Sequence, residues 1–74
     1  MKGGHNVETI GRRIRERREE LGLSQDELSI RSGFKSRSSI NKIELGQRGL
    51  AATRIKPIAD ALETTPAYIM GWNG

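Results

Sequence analysis

Cysteine is absent from the 74 residues, so neither disulfides nor thiolate metal sites can reinforce the fold. Histidine occurs once, as His5, which leaves zinc without ligands and the chain without a positioned imidazole base. Aromatic residues make up 4% of the chain; Tyr68 and Trp72, near its end, suit a core lid or an interface better than a platform for stacked bases. The longest apolar stretches are a few residues, far below the ~20 that a membrane helix needs, and no apolar signal segment follows the start. These absences argue against a secreted or membrane-spanning protein. Enzyme signatures are missing too: there is no phosphate-binding loop or dinucleotide fingerprint. The adjacent carboxylates Glu19-Glu20 and Asp26-Glu27 point about 100° apart on a helix and cannot converge as an acid/base pair. The expectation is a non-enzyme with no cofactor, no metal and no small-molecule substrate.

Seventy-four residues allow one small domain, which buries only roughly 60% of the surface that its unfolded chain exposes. Hydrophobic residues at 34%, with nine glycines, sit at the low edge of the globular range, enough to disfavour wholesale disorder. Thirteen Lys and Arg against nine Asp and Glu leave a net charge of +4 and a pI near 10.1. Nine of the thirteen cations are arginine, whose planar fork suits phosphate and guanine. The balance points to polyanions, nucleic acid first and an acidic membrane surface second.

Residues 1–5 have no periodicity and two adjacent glycines, and are expected to be a flexible lead; residues 6–74 form the domain. Asn6 can cap a first helix, with Glu8 near its positive end, and Ile10, Ile14 and Leu21 follow helical spacing, with Arg17 or Arg18 bridging the gap. Gly22 ends that helix. Ser24-Gln25-Asp26-Glu27 is a capping box, with Leu23 and Leu28 placed for a hydrophobic staple. Gly33 stops this second helix after about two turns. A third starts near Ser36, buries Ile40 and Ile43, and stops at Gly46. Two short helices joined around a glycine describe a helix-turn-helix. A fourth helix, roughly Thr53 to Leu62, turns Ile55, Ile58, Ala59 and Leu62 inward, and Pro57 requires it to start late enough to place the ring in its first turn. Thr65-Pro66 announces a short fifth helix that ends at Gly71. No stretch alternates as a strand would. The fold class is all-α, a bundle of five short helices.

The residues Leu21-Gly22-Leu23-Ser24-Gln25, Glu27-Leu28-Ser29, Gly33, Ser39-Ile40, Ile43-Glu44 and Gly46 together resemble the phage-repressor and Cro helix-turn-helix family. Ile58-Ala59-Asp60-Ala61-Leu62 and Thr65-Pro66-Ala67-Tyr68-Ile69-Met70-Gly71-Trp72 continue the likeness, which covers residues 10–72. It implies a compact lambda-repressor-like bundle with helices two and three as the helix-turn-helix. There are departures. Six residues, Phe34 to Ser39, lie between Gly33 and Ile40 where the pattern has five. Ser29 replaces a small alanine, Leu45 replaces a polar residue able to reach phosphate, and Glu63 stands where a glycine usually caps helix four.

The resemblance places the N-terminal end of helix three in the major groove of DNA. Arg37 is then the candidate for a two-bond contact with guanine O6 and N7, worth ~1–3 kcal/mol of discrimination. Ser36, Ser38, Asn41 and Lys42 are the remaining candidates for base contact, although Asn41 and Lys42 could equally meet the backbone. Gln25, at the helix-two N-terminus where free N–H groups attract anions, and Ser39, Gln47, Arg48, Thr53 and Arg54 are candidates for phosphate contact, which fixes register without reading sequence. For each the plain alternative is a solvated polar residue. Arg12, Arg13, Arg15, Glu16, Glu19 and Glu20 read as a solvated helix face. The resemblance also implies a structural ion pair between Arg18 and Glu44, since a charge near a core is tolerable only when partnered.

The resulting expectation is a sequence-specific regulator of double-stranded DNA, a bacterial or phage-type repressor that binds a pseudo-palindromic operator as a homodimer in the cytoplasm. Leu50, Tyr68, Met70 and Trp72 are candidates for the pairing surface. The alternatives are an antitoxin or restriction-modification controller built on the same module, or a protein-interaction scaffold that has lost operator binding. The chain could be a whole small regulator or the N-terminal domain of a longer one.

Overall fold

The computed structural model describes residues 7–71, with side chains from Thr9 onward. The expected lead at residues 1–5, the Asn6 cap, the Glu8 side chain and Trp72 lie outside the described residues. Five helices follow one another: α1 (Val7–Glu20), α2 (Gln25–Ser32), α3 (Arg37–Glu44), α4 (Ala52–Ala61) and α5 (Pro66–Met70). No strand occurs among the described residues. α1 packs on α3 and α5, α2 on α3 and α4, and α4 on α5.

The start and stop signals act through identifiable hydrogen bonds. Glu27 N donates to Ser24 Oγ at 3.0 Å, and Ser24 N to Glu27 Oε1 at 2.8 Å, completing the capping box of α2. Gly33 ends α2 in the left-handed conformation at φ 82°. α3 begins at Arg37, so the longer turn costs no helix: Gly33 to Ser36 span the gap in extended and turn conformations. Ser36 precedes α3 without capping it through its side chain; its Oγ lies 2.9 Å from Ser38 Oγ instead. Thr65 Oγ1 accepts from Tyr68 N at 3.2 Å, and Pro66 opens α5.

Pro57 departs from expectation. α4 starts at Ala52, which places the ring in the second turn and not the first. The proline removes only the bond that its amide would have given to the carbonyl of Thr53, an exposed residue. Ile58, Ala59 and Leu62 are fully buried just beyond, and this packing overrides the local preference. Ile55, expected inward, is half-buried.

The core is almost wholly aliphatic. Ile14, Leu28, Ile40, Ile43, Ile58, Leu62 and Ile69 are its largest fully buried side chains, each worth about 2–5 kcal/mol against truncation to alanine. Phe34 and Tyr68 pack at its edge. Gly11 carries no local signal in the sequence, yet it is buried where α1 meets the end of α3. A Cβ there would collide with the Ile43 carbonyl oxygen and lie 2.8 Å from that of Glu44. The two backbones approach this closely only because Gly11 has no side chain.

The missing glycine after α4 has a substitute. Glu63 takes the left-handed conformation at φ 56°, which strains a non-glycine residue. Arg17 crosses from α1 to secure the turn, donating Nε to the Leu62 carbonyl at 2.9 Å and an Nη to that of Glu63 at 3.2 Å. Arg17 therefore serves the bundle end and is not merely a surface cation.

Two stability predictions result. Helix propensity alone favours Gly11→Ala by about 1 kcal/mol, but collision with backbone oxygens that cannot yield should outweigh it at about 1–3 kcal/mol. The urea midpoint should therefore fall; a raised midpoint would show that α1 and α3 can part freely. Glu63→Gly relieves the strained φ while keeping both carbonyls for Arg17. The expected net gain is about 1 kcal/mol, read as a melting temperature higher by about 4–8 °C.

Candidate nucleic-acid interface

α3 divides cleanly. Ile40 and Ile43 are buried in the core, while Arg37, Ser38, Asn41 and Lys42 are exposed on the opposite side, as a 3.6-residue repeat requires. Leu45, 54% exposed, continues that outward face past the helix end. Ser36 is exposed just ahead of Arg37. The five candidates for base contact therefore lie on the exposed side of one helix, from the Ser36 cap through Arg37 and Ser38 in its first turn to Asn41 and Lys42 one turn further along.

The phosphate candidates fall into three groups. Ser39, Arg48 and Arg54 line one groove beside the turn, with Phe34, Lys35 and Leu50. Within it Arg48 donates to Ser39 Oγ at 3.2 Å. Arg54 stacks on Phe34 with its guanidinium carbon 4.7 Å from the ring centroid, and donates to the Gly33 carbonyl at 3.3 Å, so it braces the α2–α3 turn. Gln47 and Thr53 are exposed on the loop and the first turn of α4. Gln25 stands apart: its amide nitrogen turns towards α3, donating to Glu44 Oε1 at 3.0 Å and Asn41 Oδ1 at 3.2 Å. Neither the Arg54–Phe34 stack nor the Gln25 bridge carries a signal in the sequence, because the partners are far apart in the chain and obey no short-range spacing.

Arg18 and Glu44 form a two-bond ion pair, Nε to Oε2 at 2.6 Å and Nη2 to Oε1 at 3.0 Å. Their side chains are only 12% and 3% exposed. Arg18 also donates to the Leu23 carbonyl at 2.9 Å. The hydrogen bond to Glu44 raises the Arg18 guanidinium above its ordinary pKa, against the opposing effect of burial. The pair has an electrostatic consequence. Between Gly33 and Arg54 the only acidic residue is Glu44, against Lys35, Arg37, Lys42, Arg48 and Arg54. With Glu44 buried and neutralised by Arg18, the charge that this segment shows to solvent is all positive.

The sequence pattern described as Helix-turn-helix matches residues 14–69. The chain belongs to the helix-turn-helix family. An uncharacterised HTH-type transcriptional regulator of Sinorhizobium fredii, y4aM, is 39% identical over 59 residues, which are 80% of this chain and 41% of that protein. The chain thus spans about two fifths of the length of that curated relative. Among solved structures, the restriction-modification controller protein C.AhdI from Aeromonas hydrophila superposes with a TM-score of 0.81 at 36% identity, covering 86% of this chain and 91% of that one. The P22 c2 repressor, solved in complex with a synthetic operator, superposes at 0.80 with 26% identity, covering 86% and 96%. In this helix-turn-helix protein α2 and α3 are the paired helices, with Gly33 to Ser36 as the turn. Among the described residues no helix is long and apolar enough to cross a membrane, and no group of three His, Cys, Asp or Glu is placed to hold a metal ion.

The buried pair supplies a stability prediction. Glu44→Ala leaves the Arg18 charge uncompensated and should cost about 3 kcal/mol or more. Glu19→Ala breaks the exposed i,i+4 pair with Arg15 and removes the weakest of the charge effects on Arg18, and should cost about 0.5 kcal/mol or less. Equal melting temperatures for the two variants would show that the pair holds nothing together.

Proposed function

We propose that this chain binds double-stranded DNA in a sequence-specific manner, with α3 in the major groove, as the DNA-binding part of a bacterial or phage-type transcriptional repressor. The observation that carries the reading is the outer face of α3, polar and exposed at its N-terminal half within a segment whose exposed charge is entirely positive. Arg37 makes the two-bond contact with guanine, and Ser36, Ser38, Asn41 and Lys42 complete the base-facing set. Arg48, Ser39, Gln47 and Thr53 meet phosphates. Arg54 does so from its seat on Phe34, and Gln25 through the backbone at the α2 N-terminus, since its amide nitrogen is already engaged.

One module makes few base contacts, so binding as a homodimer on a pseudo-palindromic operator, with half-sites about one helical turn apart, raises affinity through effective concentration. Leu50, Tyr68 and Met70, each half-buried, are the described candidates for the pairing surface. Such a regulator is a binding module without catalysis and works in the cytoplasm of a bacterium or a phage-infected cell. A second reading, a restriction-modification controller, is favoured by the 36% identity with C.AhdI over 91% of that chain. It uses the same contacts and differs in the gene controlled.

Selection from random duplexes, followed by titration at several salt concentrations, tests the proposal. The unaltered protein should select a preferred site and bind it with a steep salt dependence. Arg37→Ala should relax preference at one position of that site, whereas Arg48→Ala should weaken all duplexes alike and reduce the salt slope by about one. A uniform loss in Arg37→Ala would remove that residue from base reading. Feeble binding that ignores salt would favour a protein-interaction scaffold.

A further inference from the structure

Glu44 holds Arg18 with both carboxylate oxygens, and Oε1 also accepts from Gln25 Nε2 at 3.0 Å. A carboxylate only accepts, so the Gln25 amide must turn its nitrogen towards Glu44. The same nitrogen reaches Asn41 at 3.2 Å. A donor there can meet only the carbonyl oxygen of the Asn41 amide, and this fixes which way that amide faces. Glu44 has a side chain 3% exposed and supplies a charge-assisted anchor. Asn41 is exposed on the face that α3 shares with Arg37. We propose that Gln25 is a positioning residue that sets Asn41 as a donor, with Oδ1 engaged and the two Nδ2 hydrogens left for an acceptor on the ligand.

The inference rests on the DNA reading and sharpens it. A side chain that offers only donors suits a phosphate oxygen, the paired acceptors O6 and N7 of guanine, or thymine O4, whereas adenine presents the single acceptor N7 beside its N6 donor. The two-bond contact of asparagine with adenine uses Oδ1 and Nδ2 together and would have to share Oδ1 with Gln25. Adenine opposite Asn41 is therefore disfavoured, although asparagine is the residue type otherwise matched to it. The chain of constraint starts at Arg18 on α1, passes through Glu44 and Gln25, and ends at a side chain facing the groove.

Dissociation constants for the unaltered protein, Asn41→Ala, Gln25→Met and the double variant, each on the selected duplex and its single-base substitutions, test the coupling. Asn41→Ala should weaken binding about fivefold, the worth of one ordinary hydrogen bond, and by clearly less once Gln25→Met has released the amide. Equal penalties in both backgrounds overturn the proposal, as does an Asn41-dependent preference for adenine in the unaltered protein. A loss spread evenly over all duplexes assigns the acceptor to a phosphate; a loss confined to one position that favours guanine or thymine assigns it to a base edge. Side-chain amide hydrogen exchange in the free, unaltered protein needs neither DNA nor a variant. The Gln25 amide protons should exchange more slowly than those of Asn41, and the reverse order overturns the lock. If that order holds but no duplex is preferred, the DNA reading fails, and with it the ligand assigned to Asn41.

Discussion

The Arg18–Glu44 pair joins α1 to the end of α3 at a point where water is largely excluded. An unpartnered charge at that depth would cost several kcal/mol, so each residue confines the other, and the angle at which α3 leaves the core is confined with them. Arg18 also binds the Leu23 carbonyl between α1 and α2, and Gln25 brings the first turn of α2 to the same carboxylate. Three helices thus meet on one side chain. Gly11 permits the approach, because the α1 backbone can lie against the carbonyls of Ile43 and Glu44 only where no Cβ intervenes.

The same pair shapes the field outside. An acidic residue near the end of a DNA-reading helix would oppose a phosphate backbone if it were exposed. Glu44 is instead turned inward and neutralised, so one carboxylate fixes the helix and disappears from its outer surface. The exposed charges near the turn and the following loop then act together. Arg48 and Arg54 are tethered to Ser39 and to Phe34 and Gly33, which limits the side-chain entropy that contact with a polyanion would cost.

Elsewhere the bundle shows how a small aliphatic core tolerates local irregularity. Pro57 lies inside α4 and Glu63 holds a left-handed turn after it, yet Ile58, Ala59 and Leu62 between them are fully buried. Burial of the apolar face outweighs a lost hydrogen bond at the solvent side and a strained φ. The Arg17 guanidinium recovers part of the balance by satisfying the carbonyls that end the helix.

The five helices, their order and most of their ends were legible in the chain, because capping boxes, glycine stops and apolar spacing act within four or five residues. So was the division of α3 into Ile40 and Ile43 inside and Arg37, Ser38, Asn41 and Lys42 outside, which a 3.6-residue period dictates. The place of Pro57 in the second turn of α4 was not, since proline's local preference yields to packing that involves α2 and α5. Gly11, the Arg17 clasp, the Arg54 seat on Phe34 and the direction of the Gln25 and Asn41 amides were likewise invisible. Each depends on atoms brought together from 16 to 46 residues apart. Short-range chemistry chose the elements, and only their mutual packing decided which donors, acceptors and charges remain free to meet a ligand.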